Sequence, residues 1–135
     1  MKLGYVLLYV PDVVAAIEFY ERAFGLKRRF LYTDEPMPNS YGEMETGSTV
    51  LGFVIREMAA QHRATIAESA VGQPSPPMEL AFLTDDVPAA YAHALAGGAI
   101  AVLPPEQKPW GQIVAYVLDL HGFLIELCTP IPTSA

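Results

Sequence analysis

Residues 5–10, YVLLYV, are apolar or aromatic without interruption and stop at Pro11-Asp12. That reads as a strand running into a helix cap, because an Asp side chain can accept the free N–H groups of a first helical turn. Val13, Ala16, Ile17, Tyr20 and Phe24 then recur at helical spacing until Gly25, a residue suited to the left-handed position that ends a helix. The same succession returns from Glu79. ELAFL leads to Asp86, then Val87, Ala90, Tyr91, Ala94 and Leu95 repeat at helical spacing, and Gly97-Gly98 follows.

The repetition continues beyond the helices. YGEMETGSTVLGFV (41–54) and WGQIVAYVLDLHGFLIEL (110–127) each open on an aromatic residue followed by Gly, run as a strand, turn near Asp or Gly, and return as a second strand. Before each hairpin lies room for one more strand, KRRFLYTD and AIAVLP. Each half is therefore strand, helix, strand, strand, strand. The pattern predicts an α+β protein of two βαβββ modules, with curved mixed sheets around a cupped cavity and helices on the outer face. Module one spans 1–56, a connector 57–77, and module two 78–130, together one domain over 1–135. Within the connector, AAQHRATIAE is a short helix candidate and the Pro- and Ser-containing end a linker.

Glu126 interrupts this pattern in a chemically informative way. In GFLIELCTP, side chains alternate, so Phe123, Ile125 and Leu127 share one face and Leu124, Glu126 and Cys128 the other. A carboxylate among apolar neighbours needs a metal, a partner or a shifted pKa. Counting from the capping Asp residues makes Tyr5 equivalent to Glu79, and comparing TVLGFV with FLIELC makes Gly52 equivalent to Glu126. These four are inner-face positions, which the repeat predicts to meet. Aligning the two aromatic-Gly pairs sets Glu43 and Glu45 against Gln112 and Val114, either as cavity-lining residues or as solvated charges of an edge strand.

Composition narrows the partners. Fifteen Asp and Glu against eight Lys and Arg give a formal charge of −7, which disfavours nucleic acid and favours cationic ligands. No apolar run has the length of a membrane span, and Met1-Lys2 leads straight into a strand, so a cytoplasmic protein without a membrane partner is expected. The single cysteine, Cys128, excludes an internal disulfide and reads as a small core residue. His93, in the second helix, and His121, in the DLHG turn, read as surface residues, and His62 as a solvated residue of the connector.

The paired modules, the opening LLYVPDVVAAIEFYERAFGLK and the closing PWGQIVAYVLDLHGFLIEL resemble the vicinal oxygen chelate superfamily, which includes glyoxalase I, bleomycin-resistance proteins and extradiol dioxygenases. The resemblance implies that the four inner positions correspond to metal ligands drawn from His, Gln and Glu. Glu126 matches a ligand carboxylate and Glu79 stands where His or Glu is usual, whereas Tyr5 and Gly52 depart from the pattern. Glu79 and Glu126 are thus the metal candidates, an incomplete set that leaves no cofactor as the first expectation and Mn, Ni, Zn or Fe as the alternative.

Two functions follow from the resemblance. The first is a small-molecule binding protein that sequesters a cationic or amine-bearing ligand, lined by Tyr5, Leu7, Tyr9, Gly52, Glu79, Trp110, Tyr116 and Glu126. The second is a glyoxalase-like lyase or isomerase, in which Glu126 or Glu79 acts as a base or metal ligand and Tyr5 as an acid or hydrogen-bond donor. The resemblance also implies a homodimer.

Overall fold

The computed structural model describes residues 1–132, so the last three positions of the expected 1–135 domain lie outside the described residues. The elements follow in the order β1 (Tyr5–Val10), α1 (Val13–Phe24), β2 (Lys27–Leu31), β3 (Tyr41–Glu45), β4 (Val50–Ile55), α2 (Met58–Gln61), β5 (Glu79–Leu83), α3 (Val87–Ala96), β6 (Ile100–Gln107), β7 (Ile113–Leu118) and β8 (Leu124–Cys128). They form two compact units, one through Glu68 and one from Ser69 onward.

Each unit carries one four-stranded sheet, in the orders β1-β4-β3-β2 and β5-β8-β7-β6. The first strand of each module pairs in parallel with the last, and the remaining pairs are antiparallel. The two βαβββ modules of the sequence repeat are therefore present, with the same strand order in both.

The helices begin alike because the same residue caps them. Asp12 accepts from the Ala15 N–H at 3.0 Å, and Asp86 accepts from the Ala89 N–H at 3.1 Å. Such a cap is worth about 1 kcal/mol. At their ends they differ. Gly25 takes the left-handed conformation directly after α1, whereas Gly97 remains helical and Gly98 makes the left-handed turn one residue later.

In the first unit, α1 buries Val13, Ala16, Ile17, Phe19, Tyr20 and Ala23. The Tyr20 ring lies 4.9 Å from that of Phe53 on β4, and Leu8, Val10, Met44 and Leu51 complete this core. In the second unit the smaller α3 packs against β6, β7 and β8, with Val87, Ala94, Val117, Ile125 and Leu127 buried. Each sheet thus spends one face on its helix. The other face bears Tyr5, Leu7 and Tyr9 in one unit and Glu79, Ala81 and Leu83 in the other.

The connector departs from expectation. Only Met58–Gln61 is helical, because Arg63 turns to φ 57° and the Ala64 N–H closes back on the Ala59 carbonyl at 2.8 Å. Farther on, Ser69 and Ser75 donate to the carbonyls of His121 and Gly122 at 2.8 and 2.9 Å, tying this segment to the β7–β8 turn. Gly122 is required there: its φ is 83°, and a Cβ would meet the Ala70 carbonyl at 2.6 Å. The turn also holds the buried Asp119, whose Oδ1 accepts from the His121 and Phe123 N–H groups at 2.9 Å each. His121 is consequently half-buried at a built turn, not the surface residue expected, while His93 and His62 are exposed.

Candidate functional site

The alternation along β8 sets the second unit's site. Ile125 and Leu127 are buried on the helix side, which turns Glu126 and Cys128 to the opposite face. Cross-strand register places Ala81 of β5 on one side of Glu126 and Tyr116 of β7 on the other. Tyr116 donates its hydroxyl to Glu126 Oε1 at 2.8 Å. Glu79, two residues before Ala81, lies close enough to Glu126 for the two carboxyls to interact. Loss of water around Glu79, then the hydrogen bond to Glu126 and its charge, push the Glu79 carboxyl above its ordinary range, with Tyr116 opposing as a donor. Burial, the hydrogen bond to Glu126 and its negative charge raise the Tyr116 phenol, which is a proton donor throughout the neutral range.

Two neighbours extend the network. The Cys128 thiol is raised to about 11 by burial and by its hydrogen bond and proximity to Glu126, so it too remains protonated. Gln112, which is buried, contacts Cys128, donates to the Thr129 carbonyl at 2.9 Å, and accepts from the Trp110 indole N–H at 2.9 Å. Trp110 is 56% exposed while its N–H is fixed. The indole is therefore held at the sheet's rim with its ring accessible.

The first unit fills its corresponding positions differently. Gly52 has Leu7 as its partner on β1 and Glu43 on β3. Glu43 accepts from the Tyr41 hydroxyl at 2.6 Å and pairs with Arg29 Nε at 3.2 Å, and the same guanidinium reaches Glu45 at 3.3 Å. Burial, with the hydrogen bond to Glu43 and its charge, raises the Tyr41 phenol as well. Register corrects the sequence alignment here: if Gly52 matches Glu126, Glu43 matches Tyr116, not Gln112. The extra residues of the second module precede the matched part of the hairpin.

Of the expected site residues, Glu79, Tyr116 and Glu126 are brought together in the second unit, and Leu7 stands against Gly52 in the first. Tyr5 is exposed on the edge strand β1, close enough to Tyr41 for an electrostatic effect, and Tyr9 is half-buried two residues beyond Leu7. Sequence reasoning missed Gln112, the role of Cys128, and the Tyr41–Glu43–Arg29 set. A signal for two of these existed: Tyr41-Gly42-Glu43 and Trp110-Gly111-Gln112 each place a polar aromatic tip two residues from an acceptor, on the same strand face.

A divalent metal is the cofactor implied by the resemblance. Among the described residues no group of three or more His, Cys, Asp or Glu converges on a common point. Glu79 and Glu126 supply two carboxyls, one already accepting from Tyr116, and Gly52 contributes no side chain. These residues do not make a complete ligand set. Among the described residues no helix is long and apolar enough to cross a membrane.

Comparison with known proteins places this geometry. Among solved structures, a glyoxalase-related enzyme from Fulvimarina pelagi is similar with a TM-score of 0.80 at 18% identity, covering 100% of this chain and 94% of that one. A glyoxalase/bleomycin resistance protein/dioxygenase family enzyme from Burkholderia phytofirmans PsJN gives 0.75 at 22% identity, over 96% and 98% of the two chains. A protein of unknown function from Agrobacterium tumefaciens str. C58 gives 0.74 at 27% identity, over 96% and 94%. No curated protein matches the chain significantly. The family model described as Glyoxalase/Bleomycin resistance protein/Dioxygenase superfamily matches residues 2–127, and the chain, with its two βαβββ modules, belongs to that superfamily.

Proposed function

We propose that the chain is a small-molecule binding protein and that Glu79, Glu126 and Tyr116 receive a cationic, amine-bearing group. The observation that carries this reading is the Glu79–Glu126 carboxyl pair, which takes part in none of the ion pairs seen among the described residues. Among the described residues, the ion pairs of Arg28, Arg29, Arg56 and Lys108 all go to other carboxylates. Tyr116 orients Glu126, and burial with the nearby Glu126 makes Glu79 keep its proton to higher pH, a proton that an arriving positive charge would release. An ammonium then replaces a proton between two carboxylates. Trp110, with its ring accessible and its N–H fixed, offers an aromatic face at the same sheet's rim.

Titration with 2-phenylethylamine and with the neutral 2-phenylethanol, read by fluorescence of the single tryptophan, tests the reading. Saturable binding of the amine, at least roughly tenfold tighter than of the alcohol and lost in Glu126→Gln, is the expected result. Equal binding of the two, or an unaffected variant, would overturn it. The same reading takes the chain as a homodimer. Support comes from the apolar side chains left exposed on the sheet faces that carry no helix, Tyr5, Leu7 and Leu83 among them. Light scattering on the purified chain measures that mass directly.

A further inference from the structure

The two units solve the same sheet geometry with opposite chemistry. In the second, a small residue, Ala81, lies beside Glu126, and a phenol, Tyr116, lies across from it. In the first, a large residue, Leu7, lies beside Gly52, and a carboxylate, Glu43, lies across from it. A Cβ at position 52 would meet Leu7 Cδ2 at 2.7 Å and the Tyr41 hydroxyl oxygen at 3.2 Å. The space of the missing side chain is thus shared between a leucine methyl and the phenol that donates to Glu43.

We infer that the first unit carries its carboxylate at Glu43, across the strand pair from position 52, held there by Tyr41 and Arg29, and that Gly52 and Leu7 are matched residues that leave no room for a carboxylate at 52. Arg29 lies against both Glu43 and Glu45, and Tyr41 donates to Glu43, so Glu43 has a cation beside it and Glu126 does not. A carboxylate restored at position 52 would stand directly opposite Glu43, where like charges destabilise. It would also displace Leu7 and crowd the Tyr41 hydroxyl. Placing a carboxylate at that position therefore does not by itself create a ligand position. The inference concerns the first unit's own residues and stands independently of amine binding in the second.

Thermal unfolding of Gly52→Glu, in the native background and in Leu7→Ala/Glu43→Gln, tests this match. In the native background the substitution is expected to lower the Tm by roughly 5 °C or more, and in the altered background by less than about half as much. Calorimetric titration of Gly52→Glu with Mn, Ni and Zn is expected to show no metal binding beyond that of the wild type. An equal cost in both backgrounds, a cost near zero in the native one, or stoichiometric metal gained by Gly52→Glu alone would overturn the inference. If Gly52→Glu does not fold, Gly52→Ala with and without Leu7→Ala asks the same question of the Cβ alone. The cost of Ala at 52 is expected to shrink when Leu7 is shortened, and an unchanged cost would overturn the claim that Leu7 fills the position.

Discussion

Replacing Glu79 by Gln should make the protein more stable at neutral pH, with a gain that disappears in acid. Glu79 holds its proton more tightly in the folded chain than in the unfolded one, whose carboxyl has the ordinary value of 4.5. Below that pH both states are protonated and the carboxyl has no effect on stability. As pH rises above it, the unfolded chain releases the proton while the folded chain retains it, so folding becomes progressively less favourable until the raised folded value is passed. Gln cannot ionise and offers an N–H donor to Glu126 in place of the shared proton. One pKa unit corresponds to about 1.4 kcal/mol. Because Glu79 is largely exposed in the chain and its charge is screened, about 0.5 to 1 kcal/mol is the appropriate scale. That corresponds to a Tm rise of roughly 2 to 5 °C at pH 8 and none at pH 4. Differential scanning calorimetry of both proteins from pH 4 to 8 reads this directly. A variant no more stable than wild type at pH 8, or one whose advantage is the same at every pH, would refute the proton-sharing argument.

Three further outcomes follow from the same geometry. Tyr116→Phe removes the 2.8 Å hydrogen bond to Glu126 and should cost about 1 to 2 kcal/mol at pH 7, measured by urea unfolding. Cys128, buried with a thiol raised to about 11, should react with a disulfide reagent at pH 8 at least about 100-fold more slowly in the native state than in denaturant. Gly122→Ala, which needs a left-handed backbone and meets the Ala70 carbonyl, should cost about 2 kcal/mol or more and expose the segment around Ser69 and Ser75 to proteolysis.

The modules were legible because their signals are local and occur twice. Asp12 and Asp86 cap, Gly25 and Gly98 turn, and the apolar stripe of α1 lies where its spacing places it. Alternation along two strands placed Glu79 and Glu126 on inner faces, and the structure sets those strands, β5 and β8, side by side in parallel. The polar network around that pair was not legible, because it depends on register between strands. Tyr116 faces Glu126 and Glu43 faces Gly52 only once β7 and β3 are set against their partners, and aligning the aromatic-Gly pairs misassigned this by four residues along β7. The connector was misjudged for a related reason: helix propensity in AAQHRATIAE does not reveal the turn at Arg63. Nothing local in KRRFLYTD marks Arg29 as the partner of Glu43 and Glu45, which it meets at 3.2 and 3.3 Å.

If an amine replaces a proton held at Glu79 beside Glu126, calorimetry of 2-phenylethylamine binding in buffers of different ionisation enthalpy reads the exchange. Just above the ordinary carboxylate range the observed enthalpy is expected to vary with the buffer, corresponding to release of up to about one proton per site, and this dependence is expected to vanish in Glu79→Gln. An enthalpy independent of buffer in the wild type, or no amine binding at all, would contradict it.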